Sequence, residues 1–171
     1  MRHFLRLTPN EVPHYYREVR RLKVQLADKE LSLSARSKLK SRLGSLLLAD
    51  EKTVHEGRDL LENCSGLEGR AEIVWAIRHA TALQYSEEHL AAKSRFIFIV
   101  QECRARDEYL DFALQHFGKC LAEMEHFNKA RTCFEEALEL RLLRGDPKLI
   151  GSTQFALDEL FKRGTSTFND G

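Results

Sequence analysis

Turn-forming residues in this chain are sparse and regularly spaced, and the stretches between them carry apolar residues every third or fourth position. That period belongs to the α-helix, and the stretches are too long for typical strands. Thr8-Pro9-Asn10 opens a first helix predicted to run to about Asp28, with Val12, Tyr16, Val19, Leu22 and Leu26 on one face. Ser32 to Ser34 supplies a break and a cap before helices over 35–49 and 52–64, and Ser65-Gly66-Leu67-Glu68-Gly69 ends that pair. Helices follow over 70–85, 87–105, 108–123 and 127–144, with Ser86 placed to N-cap one of them. Gly145-Asp146-Pro147 closes the penultimate helix and opens the last, over 147–163, because Gly suits the position after a helix and Pro its first turn. Phe96-Ile97-Phe98-Ile99-Val100 has strand propensity but lies inside one of these long segments, so it reads as a helix buried on several sides.

Small and aromatic residues recur within this series. Leu114, Phe117, Gly118 and Leu121 are followed by Ala130, Phe134 and Ala137. Gly118 and Ala130 leave room for two helices to approach, and Phe134 fills the space beside them. Leu43, Gly44 and Leu47, then Gly57, Leu61 and Cys64, repeat the pattern with one residue inserted. A weaker copy runs through Val74, Ile77, Arg78 and Thr81, then Ala92, Phe96 and Ile99; Gln154, Leu157, Asp158 and Phe161 begin another. The third positions, 44, 78, 118 and 158, are spaced by 34, 40 and 40 residues.

This pattern resembles the tetratricopeptide repeat, with its W-x2-L-G-x2-Y first helix and A-x3-F second helix. The resemblance covers residues 35–163. Arg78 and Asp158 stand at the glycine site, and Leu142 stands where the family has proline. It implies an all-α chain of antiparallel helix pairs, stacked as a short right-handed superhelix with a terminal capping helix. Residues 1–34 would form a basic segment and helix on the first repeat, and 164–171 a flexible tail. Proteins of this kind use their concave face to hold a peptide or helix of another protein. In that register Lys38, Arg42, Trp75, His79, Gln115 and Lys119 look into the groove, a set suited to an acidic or amphipathic partner. Trp75 reads equally well as core. The clamp some members use for carboxy-terminal tails also needs Lys and Asn where this chain has Ser41 and Ser45.

Other classes find less support. The net charge of +1 conceals a split: residues 1–42 hold eleven Lys/Arg against four Asp/Glu. Such a segment could bind nucleic acid, the alternative reading; solvation or pairing with the acidic remainder accounts for it equally well. The Glu11–His14 and Glu123–His126 pairs match one ligand spacing of di-metal helical enzymes, the distant alternative. His14 falls in a first turn and His126 between helices, however. No phosphate-loop, nucleophile-elbow or R-x4–6-H ribonuclease motif is present. The four cysteines form no C-x-x-C, which argues against zinc and redox motifs. No apolar run approaches a membrane span, and the amino terminus lacks secretory-signal features. The expectation is a cytoplasmic, non-enzymatic adaptor or chaperone-like module, without cofactor, metal or catalytic residues and capable of forming a homodimer.

Overall fold

The computed structural model describes residues 4–166, with side chains to Gly164. Among the described residues the chain forms eight helices and no strand. They are α1 (Tyr15–Leu26), α2 (Leu33–Leu47), α3 (Val54–Glu62), α4 (Arg70–Tyr85), α5 (His89–Arg106), α6 (Leu110–Glu123), α7 (Phe127–Arg144) and α8 (Pro147–Ser166). Residues 96–100 are helical, as length required. Helix α5 nevertheless buries one stripe only: Ala92, Phe96, Ile99 and Cys103 are buried, whereas Phe98 is 67% exposed.

Two compact units divide the chain. One comprises Arg6–Arg95, and the other joins Met1–Leu5 to Phe96–Gly171. In the first, α1 packs on α2, α2 on α3 and α4, and α3 on α4. Leu22 of α1 meets Leu43 and Leu47 of α2, while Leu48, Val54, Leu61 and Ala82 form a second core cluster. The first helix starts later than the sequence suggested. Thr8 directs its amide and hydroxyl to Glu11 Oε2, at 2.8 and 2.7 Å, and His14 adopts a left-handed φ of 57° just after Pro13. Residues 15, 19, 22 and 26 share the stripe that faces the core. Tyr15 is therefore buried, and Tyr16 is 70% exposed instead of sharing the predicted face.

Helices α2 and α3 meet backbone to backbone. A Cβ added to Gly44 would lie 2.7 Å from the Gly57 carbonyl oxygen, and one on Gly57 would lie equally close to the Gly44 oxygen. At the other end of the pair, the Ser65 amide donates to Ser37 Oγ at 3.0 Å. Contacts that run in opposite chain directions make α2 and α3 antiparallel.

In the other unit α6 packs on α7, α7 on α8 and α6 on α8. Here the atoms nearest a Cβ on Gly118 belong to the Phe134 ring, at 2.6 to 2.9 Å, and not to Ala130. Gly145, at φ 73°, ends α7 by donating its amide to the Arg141 carbonyl at 3.0 Å. Helix α8 continues through Gly164 to Ser166, beyond the limit read from sequence; residues 167–171 of the expected tail lie outside the described residues. Ser86 follows α4 as its C-cap and does not open α5.

Candidate functional site

In the unit built on α6, α7 and α8, two charged residues occupy buried stripes. Asp111 is fully buried and Arg141 is 2% exposed. Arg141 Nε donates to Asp111 Oδ2 at 3.1 Å. Its Nη1 donates to Gln115 Oε1 at 3.2 Å, the Leu149 carbonyl at 3.2 Å and Thr153 Oγ1 at 2.6 Å. Arg144 supplies a second guanidinium to Asp111. One buried cation thus ties three helices together. Gln115, expected in a groove, is buried in this network with its oxygen committed to Arg141.

One turn along α6, half-buried Lys119 points its Nζ at the Leu5 carbonyl, 3.5 Å away. The preceding residue is firmly seated. The Phe4 amide donates to Glu123 Oε1 at 2.6 Å, and its ring is fully buried. That ring stacks on Phe134 at 6.1 Å, and the Arg163 guanidinium stands 4.8 Å from its centroid. Gly118 underlies the arrangement: without a side chain there, the Phe134 ring packs close against α6 and still stacks with Phe4. A backbone donor, a backbone acceptor and an aromatic side chain are all met within two residues of a non-helical segment.

Burial holds the Lys119 ammonium down at about 8, helped by the Arg141 charge and opposed by Glu123. An unfolded lysine titrates near 10.4. Below about pH 8 both states carry the proton and the full cost of burying it; from there to about 10.4 the unfolded state holds more protons, so stability climbs with pH. Lys119→Met should therefore raise stability at pH 7 by on the order of 1–2 kcal/mol, after allowance for the partial exposure of the side chain and the lost contact to Leu5. The advantage should shrink as pH rises through that window. Cys103 and Cys133, pushed up to about 11 by burial, act in the opposite sense above about pH 9 but equally in both proteins. Urea unfolding of the two proteins at pH 7, 8 and 9 checks this, and a gap that does not move with pH refutes it.

In the unit Arg6–Arg95, Trp75 lies half-buried against the Leu48 cluster, and its Nε1 donates to the Leu61 carbonyl at 2.8 Å. Its ring stacks on His79 with centroids 5.6 Å apart and planes within 6°. His79 is buried and held below the usual histidine range by burial first, then by Arg95. The pair is part of the packed structure, and His79 is neutral near pH 7. Lys38 is exposed on α2.

Arg42 has different company. Its guanidinium stands 2.5 Å from Glu18 Oε1, the carboxylate that also holds Arg21 at 2.6 Å. It lines a cleft of about 350 Å³ together with His14, Arg17, Glu18, Ser45 and Arg78. Arg78 is half-buried and donates to Ser41 Oγ at 3.2 Å. The amino-terminal cations are otherwise largely committed. Arg36 donates to the Leu26 and Asp28 carbonyls, Lys40 to that of Asn63 and Arg6 to that of Leu48, while Lys23 pairs with Glu56 at 2.8 Å. Several of these cations sit on helix carboxy-terminal carbonyls, where positive charge is favoured.

The structure thus joins Trp75 to His79, Gln115 to the Arg141 network and Lys119 to the main chain of Leu5. Sequence reasoning missed Phe4, Asp111, Arg141 and Arg163, and weighed Glu123 only as a metal-ligand partner of His126, whereas it accepts from the Phe4 amide. Among the described residues no group of three His, Cys, Asp or Glu side chains is placed to hold a metal ion, and no helix is long and apolar enough to cross a membrane. Comparison with family models, curated proteins and solved structures finds no match to this chain.

Proposed function

We propose that the chain is a non-enzymatic protein-interaction module, an adaptor or chaperone-like holder, whose helix pairs are tetratricopeptide-like units stacked as a short right-handed superhelix. Its ligand is a short non-helical segment of another protein that carries an aromatic side chain. The observation that carries this reading is the seat of Phe4. The groups a bound peptide needs, an acceptor for its amide, a donor for its carbonyl and a place for its ring, converge there from α6, α7 and α8. The Gly44–Gly57 contact and the Gly118–Phe134 contact support the repeat part, since both fall at positions where that family needs small residues. Nucleic-acid binding by the amino-terminal segment has less behind it, because so many of its cations are spent on carbonyls and carboxylates within the unit.

Phe4→Ala in the full chain removes the ring that anchors the segment, so that a competing segment can displace its two backbone hydrogen bonds while the walls of the seat stay in place. A fluorescent peptide spanning residues 2–7 should then bind in trans with a Kd between about 10 µM and 1 mM, the range of roughly 4–7 kcal/mol available to one buried ring and two hydrogen bonds. The parent chain, whose seat is filled, should bind it at least tenfold more weakly. Glu123→Ala added to Phe4→Ala should weaken binding again. Fluorescence anisotropy reads all three. If the vacated chain ignores the peptide, or binds an alanine-substituted peptide equally well, the seat is only a packing contact.

A further inference from the structure

We propose that the cleft between the start of α1, α2 and α4 binds a phosphate monoester, held chiefly by Arg17 and Arg78. The site is distinct from the Phe4 seat and independent of the function proposed for it. Three arginines from three helices, Arg17, Arg42 and Arg78, line the cleft, and Glu18 is the single carboxylate among its lining residues. Glu18 is already shared between Arg42 and Arg21. Among the described residues neither Arg17 nor Arg78 pairs with a carboxylate, and a hydroxyl is the one acceptor that Arg78 reaches. A half-buried cation without a counter-charge, beside a second cation, is costly to keep. Its environment shows this: Arg78 is held below the ordinary arginine range by burial first and by the charge of Arg42 second.

The ligand that corrects this must bring more than one negative charge in a compact group. A carboxylate brings one. A phosphate monoester brings about 1.5 to 2 at pH 7, on oxygens that accept from guanidiniums approaching along different directions. At about 350 Å³ the cleft lies within the size range of small-ligand sites, so it accommodates the phosphate and the first atoms of whatever bears it. Glu18 holds Arg42 in an ion pair at one wall of the cleft. The ester can belong to a free phosphorylated small molecule or to a phosphorylated side chain of a partner protein, and the chemistry of recognition is shared.

The test uses the full chain and calorimetric titration at matched ionic strength in chloride. The probes are inorganic phosphate, a short phosphoserine peptide and the same peptide with glutamate in place of phosphoserine. Phosphate-bearing probes should bind, with affinity falling as salt rises, and the glutamate peptide should bind at least tenfold more weakly. Arg17→Gln and Arg78→Gln should each weaken the phosphate-bearing probes about tenfold or more. Arg131→Gln, on exposed α7 surface, should not. Arg17 is an exposed helical residue, so its variant folds whether or not the Arg78 variant does. Binding of inorganic phosphate supports a small phosphorylated ligand, and binding of the phosphopeptide alone supports a modified partner. If neither phosphate probe binds above the chloride background, if the glutamate peptide binds equally well, or if the Arg17 variant binds like the parent, the proposal is overturned.

Discussion

Asp111→Ala should destabilise the chain by about 3–5 kcal/mol, because it leaves the Arg141 charge buried with neutral acceptors only. Arg141 is 2% exposed, and its remaining partners are the Gln115 amide oxygen, the Leu149 carbonyl and the Thr153 hydroxyl. Arg144 has side-chain access to solvent and can turn outward; Arg141 cannot. The expectation is thus asymmetric between the two cations: Arg144→Ala should cost about 1 kcal/mol or less, nearer the range of a surface pair. Removing both buried charges with Asp111→Leu and Arg141→Met should recover much of the loss, since apolar replacements of a buried pair are often neutral or better. Chemical denaturation of the single and double variants measures this. Should Asp111→Ala cost no more than Arg144→Ala, the network is not the main tie among α6, α7 and α8.

Gly44→Ala should destabilise the first unit by roughly 1–3 kcal/mol, although alanine is the better helix former by about 1 kcal/mol. Two effects oppose one another here. The propensity gain is available at any ordinary helical glycine; the steric loss arises because the new methyl would stand 2.7 Å from the Gly57 carbonyl oxygen and 2.9 Å from Leu61 Cγ. A backbone oxygen in a helix cannot swing aside as a long side chain can, so the helices must separate and open the Leu22–Leu43–Leu47 core. Gly151, within α8 and with nothing within 4 Å of an added Cβ, is the matched control. Gly151→Ala should stabilise by about 0.5–1 kcal/mol. Opposite signs at the two positions, read from denaturant midpoints with unchanged m-values, are the expected result. Equal signs would falsify the close approach of α2 and α3.

Much of this architecture was legible because its causes are local. Helix α4 lies where the period and the flanking glycine placed it, and Gly145 and Pro147 mark the α7–α8 boundary through their own backbone preferences. Gly44, Gly57 and Gly118 stood out by spacing and do sit at close approaches. One error touched the end of a stripe whose other members, Val19, Leu22 and Leu26, stand where they were expected. A left-handed His14 precedes α1, which starts later than expected, and Tyr15 takes the place in the core expected for Tyr16. The groove list was weaker for a related reason: a register assigns each residue to a face but does not say what covers that face. Gln115 met Arg141, and Lys119 met the main chain of Leu5.

Asp111 and Arg141 show where the division falls. Asp111 continues the stripe of Leu114, Gly118 and Leu121, and Arg141 continues that of Ala130, Phe134 and Ala137, so the sequence by itself determined that each charge lies on a buried face. It also determined the helices, their order and the small residues that let pairs approach, since period, caps and side-chain volume act over a few residues. Only the tertiary structure decided that those two charges answer each other, that Phe4 comes to rest on Phe134, and that Arg17, Arg42 and Arg78 share one cleft. These pairings join residues far apart in the chain, and no local preference selects among the many partners each could have had. Packing does, because a buried charge or ring is tolerated only where complementary groups from other helices already stand.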